Sequence, residues 1–195
     1  MNYTWGADGV ARGNYAGINI WCICGIPEGV ILPVKDSKKT NKKQRADIVN
    51  QIKDKCIWAL GSAIPQNIDE LGISLAESFA LVQANYNLYY NYNQLIIKEV
   101  YGDLGMPILP HFKYIRIKDA DAFIPAVSAA SIFAKYALDL YWERVHEHYP
   151  QYDFINNAGY GVKAKEAIQK YGLIEGVHRK SYKPCKEYLE SCNKI

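Results

Sequence analysis

Apolar and polar positions along this chain switch between strand and helix spacing. Tyr3 to Ala7 reads as a short strand ending in a glycine-containing turn, and the run GINIWCICG from Gly17 to Gly25, apolar and bounded by glycine, predicts a core strand. Val30 to Pro33, Ile57 to Ile64, Leu95 to Ile97 and Tyr114 to Ile117 read as further strands. Ser37 or Thr40 would cap a helix running to about Lys55. Leu75, Phe79, Val82 and Tyr86 recur at helical spacing, and Ile132, Tyr136, Leu140 and Val145 share one face of a helix from Val127 to about His148. Lys163 to Tyr171 predicts a shorter helix stopped by Gly172, and the polar stretch from Ser181 is partly helical.

Strands followed by helices, without repeats or a long linker, predict an α/β fold with a mixed β-sheet flanked by helices. Residues 1–195 are expected to form a single domain, a core of about 1–140 with a small C-terminal helical part of about 141–195. A formal net charge of +3 permits a polyanionic partner without demanding one. The five cysteines, Cys22, Cys24, Cys56, Cys185 and Cys192, have no zinc-ribbon spacing and read as reduced thiols, with a metal or disulfide role the lesser alternative. No basic segment leads into an apolar one at the N-terminus, and no apolar run approaches the ~20 residues of a membrane span. An intracellular, cytoplasmic setting without membrane association is expected.

Five motifs then occur in a fixed order. They are GADGVARG at Gly6 to Gly13; DSKK at Asp36 to Lys39; IDELGI at Ile68 to Ile73; SAASIFAK at Ser128 to Lys135; and YP at Tyr149, followed by GYG at Gly159 and HRKSYKP at His178 to Pro184. This series resembles the ribonuclease HII family, whose corresponding motifs read GxDEAGRG, DSKK, IDELNI, SAASILAK and YP…GYGT…HRxSFxP. The resemblance spans nearly the whole chain and implies a ribonuclease H-like fold.

It also implies a two-metal site of four carboxylates. Hydrolysing a phosphodiester requires a nucleophile brought close and negative charge offset, tasks suited to Mg or Mn held by oxygen ligands. Asp8 matches the first family Asp, and Asp121, seven residues before Ser128, matches the last. The Glu position is Gly9. The third Asp is expected to follow the strand Leu95 to Ile97, which places Lys98 there with Glu99 next. On this reading two of four ligands are lost, and Lys98 reaches between Asp8 and Asp121 in place of a metal ion. A one-residue slip would instead turn Glu99 inward as a surrogate, with Asp119 approaching.

The resemblance further implies that the loop Ala11-Arg12-Gly13 reads ribose 2′-hydroxyls. Alanine replaces the family's first glycine, and Arg12 remains able to bond a phosphate. Tyr160 matches a tyrosine that stacks at the RNA–DNA junction, and Val162 replaces a threonine. Ser37, Lys38 and Lys39 are candidate phosphate contacts, as are Ser128 and Ser131 at a helix N-terminus. Lys135, His178 and Arg179 are candidate backbone-phosphate or structural residues. The implied function is binding of an RNA/DNA hybrid or ribonucleotide-containing duplex with impaired catalysis. Two alternatives stand beside it: an active endonuclease dependent on Mg or Mn, and a structural or protein-interaction subunit needing no cofactor.

Overall fold

A computed structural model describes residues 2–34, 40–92, 95–108 and 113–193. Five strands, β1 (Tyr3–Val10), β2 (Asn19–Pro27), β3 (Ile57–Ala63), β4 (Glu99–Gly102) and β5 (Lys113–Arg116), form one sheet in the order β3-β2-β1-β4-β5. The β1–β2 and β2–β3 pairs are antiparallel, and the β1–β4 and β4–β5 pairs are parallel. The helices are α1 (Lys42–Ile52), α2 (Pro65–Leu71), α3 (Ile73–Asn91), α4 (Ala120–Phe123), α5 (Pro125–His148), α6 (Phe154–Asn157), α7 (Gly161–Tyr171) and α8 (Lys183–Cys192). The α/β class with a mixed sheet flanked by helices is therefore the observed one.

Alternation along the central strands divides the core. Trp5, Ala7, Trp21 and Ile23 pack with Val100 and Met106 against α3, whereas Val10, Ile20, Cys22, Cys24 and Ile26 pack against α1 and α5. A third cluster, Ala16, Trp142, Tyr152 and Phe154, joins the C-terminal helices to the end of α5. Helix α1 is capped by Asn41 rather than Thr40: Asn41 Oδ1 accepts from the Gln44 N–H at 2.9 Å and Gln44 Oε1 accepts from the Asn41 N–H at 2.9 Å. The alternative cap, Ser37, lies outside the described residues.

Two strand expectations are corrected, and the helix read from Leu75 to Tyr86 is present as α3. Residues 30–33 form no strand, because the chain has left the sheet at Pro27. Residues 95–97 form none either; Ile96 is 79% exposed, and the strand begins at Glu99. In α3 the regular spacing of Leu75, Phe79, Val82 and Tyr86 marks the exposed face. The buried face carries Ala76, Ala80, Leu81, Ala84 and Leu88. Small residues won the inner side because α3 lies hard against β3: a Cβ on Gly61 would collide with the Ala80 carbonyl and the Ala84 amide.

Among the described residues, no helix is long and apolar enough to cross a membrane.

Candidate active site

The site forms where β1 runs out beneath α5. Asp8, half-buried near the end of β1, projects toward that helix, and the Ser131 hydroxyl of α5 hydrogen-bonds its carboxylate. Asp121, in the first turn of α4, is buried beside it. Burial pushes the Asp8 carboxyl up from 3.8 to about 6, with Asp121 adding to the rise. Ser131, the Gly9 N–H and the Lys135 ammonium pull the other way.

A third carboxylate enters from β4. Gly6 pairs with Tyr101 in the parallel register, so two residues further along each strand Asp103 stands level with Asp8 on the same face. Asp8, Asp103, Asp121 and Lys135 line one cleft of about 440 Å³, together with Gly9, Val10, Ala11, Asn14 and Leu138. Asp103 Oδ1 also accepts the Leu104 N–H at 2.7 Å. Among the described residues, no three carboxylate, imidazole or thiol groups already converge on one metal position.

The expected role of Lys98 is therefore corrected. It lies exposed ahead of β4, five residues before Asp103, or roughly 16 Å back along an extended chain. Glu99 is no surrogate: it accepts the Tyr101 hydroxyl at 3.1 Å and faces the Lys113 ammonium at 3.6 Å, at the far end of the same strand. Asp119 is exposed in a left-handed conformation ahead of α4. The cation in the cleft is Lys135, and the acid overlooked in the sequence is Asp103. Its signal was the β-rich run Glu99 to Gly102 followed by the turn residues Gly102-Asp103-Leu104-Gly105.

Gly9 is closed to a side chain. It sits directly across from Trp21 in the β1–β2 register, and a Cβ there would fall within the Trp21 indole. The Trp21 Nε1 lies against Gly9, buried without a hydrogen-bond partner among the described residues.

The loop after β1 is held from below. Ala11 takes φ +67°, a left-handed conformation that disfavours alanine by about 1 kcal/mol. Arg179, fully buried, donates from Nε to the Gly17 carbonyl at 2.8 Å and from Nη1 to the carbonyls of Ala11 at 2.8 Å and Arg12 at 3.3 Å. The Tyr182 hydroxyl donates to the Arg12 carbonyl at 2.5 Å. His178 is likewise buried, its Nδ1 accepting the Ile174 N–H at 2.8 Å. Arg179 supports the loop, while the His178 imidazole packs on Tyr152 and Phe154, and both side chains are buried, the structural alternative of the sequence reading. Ser128 and Ser131 are also buried, and the Val127 and Ser128 N–H groups both go to the Ile124 carbonyl, so neither of these amides points at an anion.

Arg12 is partly exposed, yet its guanidinium is paired with the buried Glu77 carboxylate and donates to Ser74 Oγ at 3.2 Å. Glu77, another acid the sequence reading passed over, has its pKa raised by burial, against the pull of Arg12. Tyr160 is 58% exposed next to Gly13 and packs against Tyr15 with ring centroids 5.8 Å apart. Ser37, Lys38 and Lys39 lie outside the described residues.

The ribonuclease HII family model matches residues 5–185. Ribonuclease HII of Hydrogenovibrio crunogenus is 35% identical over 192 residues, covering 97% of this chain and 90% of the relative. That of Nitrosomonas europaea is 36% identical over 184 residues, covering 93% and 82%. Among solved structures, ribonuclease H2 from Pyrococcus horikoshii OT3 superposes with a TM-score of 0.75 at 21% identity over 100% of both chains. A Bst-RNase HIII in complex with Mn2+ gives 0.76 at 18% identity, covering 99% of this chain and 71% of its own. At such identities the structures establish the shared fold, while the sequence relatives and the family match establish descent. The chain belongs to the ribonuclease HII family, whose members act on nucleic acid.

Proposed function

We propose that this protein binds RNA/DNA hybrid or ribonucleotide-containing duplex across the Asp8 cleft and cleaves it far more slowly than its relatives. The observation that carries the reading is the company kept in the cleft: Asp8, Asp103 and Asp121 face one opening together with Lys135, Ala11 and Asn14. A phosphodiester entering there would meet the Lys135 ammonium, and the half-exposed Tyr160 ring beside Gly13 offers a surface for a sugar or base.

The donors suit a hard divalent cation such as Mg or Mn. All three are carboxylates, and the Asp8 acid, desolvated and raised to about 6, gains from a neighbouring positive charge. Asp8, Asp103 and Asp121 would hold the ion, which when bound would supply an activated water and offset charge on the phosphate. Ser131 orients Asp8, and Lys135 offsets the charge of the cleft. A fourth carboxylate has no room at Gly9, which weakens the site relative to a four-carboxylate one. The chain is taken to act as one domain, since α5 runs through the seam near residue 140. The unpaired cysteines favour a reducing compartment.

Two measurements test this. Binding of a fluorescent hybrid over a salt series is expected to give a clearly negative log–log slope. Cleavage of a duplex with one ribonucleotide is expected with Mn, at least about a hundredfold slower than the Hydrogenovibrio crunogenus relative assayed alongside. A flat salt response would remove the binding claim, and a rate equal to the relative's would remove the impairment.

A further inference from the structure

The outer side of α3 carries an apolar stripe, flanked by Ser78, Gln83 and Asn85. Leu75, Phe79, Val82, Tyr86, Tyr89 and Tyr90 stand on it, between 37% and 75% exposed. The first five follow spacings of four, three, four and three residues, the 3.5-residue repeat of a seam that receives another helix. The one charged residue of α3, Glu77, is turned inward. The sheet covers only the alanine face of α3, and the described residues leave this stripe uncovered.

We propose that this face is a homodimer interface, in which α3 of two copies pack antiparallel about a two-fold axis near Val82. The stripe is nearly palindromic about Val82, so reversing the helix returns the same seam. Antiparallel pairing sets the aliphatic and phenyl end, Leu75 and Phe79, against the phenolic end, Tyr86 and Tyr89, of the other copy. The phenol hydroxyls then reach the rim, where water can satisfy them. No exposed charge on α3 opposes its own image.

The area is sufficient. Six large side chains at these exposures present on the order of 700 Å², close to the ~800 Å² per partner of a standard stable interface and beyond the largest apolar patch of most monomers. Helix α3 lies on the sheet face opposite α5, so the dimer leaves both Asp8 clefts open.

The test uses the full chain. At micromolar concentration, sedimentation or light scattering is expected to give twice the 22.1 kDa chain mass. The pair Phe79→Glu, Tyr86→Glu is expected to halve that mass with an unchanged circular dichroism spectrum. As a second readout insensitive to folding defects, Val82→Cys in a Cys192→Ser background is expected to oxidise mostly to a covalent dimer. A monomeric mass with no Val82→Cys cross-link would overturn the proposal, whether the face is then bare or occupied by a different protein. A dimer that survives the double glutamate change would overturn it as well.

Discussion

The indole of Trp21 fills the space beside Gly9 that a side chain at that position would need. Glutamate at residue 9 alone is therefore expected to destabilise the protein by roughly 2 kcal/mol through overpacking and to add no activity. Making room with Trp21→Ala in the same chain is expected to raise Mn-dependent cleavage above that of either single variant. Thermal unfolding and single-ribonucleotide cleavage check both halves. A Gly9→Glu protein with unchanged Tm and brisk cleavage would show that the indole is no obstacle.

Asp103, and not Lys98, is the residue that β4 delivers to the cleft. Asp103→Asn is expected to lower Mn-dependent cleavage by at least about tenfold, the scale of losing one ligand from such a site. Lys98→Ala is expected to leave it within about a factor of two, because the lysine sits at the other end of β4. Equal losses from the two variants would return Lys98 to the cleft.

Arg12 and Glu77 should behave as a unit. Removing the guanidinium with Arg12→Ala leaves a buried carboxylate unpaired, at an expected cost of roughly 1–3 kcal/mol. Adding Glu77→Gln is expected to recover most of that loss, which a double-mutant cycle by denaturant unfolding would reveal. An arginine committed to Glu77 contributes little to phosphate binding, so Arg12→Ala should barely change the salt slope for a hybrid. A slope smaller by about one unit would mean the arginine does reach a phosphate.

His178 predicts a pH dependence. Burial lowers its pKa from 6.5 to about 4, so the folded protein keeps it neutral while the unfolded chain takes up a proton near 6.5. Below that pH the unfolded state binds more protons, and stability falls between about pH 6.5 and about pH 4, by on the order of 3 kcal/mol. Asp8, raised to about 6, titrates in the opposite sense, because its folded form takes up the proton first. The readout is thus the difference between wild type and His178→Asn, whose amide oxygen can still accept the Ile174 N–H. Parallel stability curves for the two proteins across this range would remove the histidine as the cause.

Family motifs made much of the cleft legible in the sequence, because Asp8, Asp121 and Lys135 sit in runs whose order is diagnostic. What eluded it was decided by tertiary packing. The run Leu95 to Ile97 is apolar enough for a strand, yet the register with β1 begins pairing later and moves the third acid to Asp103. The stripe from Leu75 to Tyr86 has the period of a buried face, but close approach to Gly61 selected the alanines instead. The buried state of His178 and Arg179 was equally hidden, since nothing local shows that the guanidinium meets backbone carbonyls and the imidazole a backbone N–H instead of a phosphate.

The buried guanidinium of Arg179 joins Gly17, Ala11 and Arg12 to the far end of the chain, more than 160 residues away in sequence. Ala11 holds its unfavourable backbone angle above that anchor. The tail is thus a strut for the mouth of the cleft: shortening the protein before residue 179 would keep Asp8, Asp103 and Asp121 in the chain and still slacken the loop beside them.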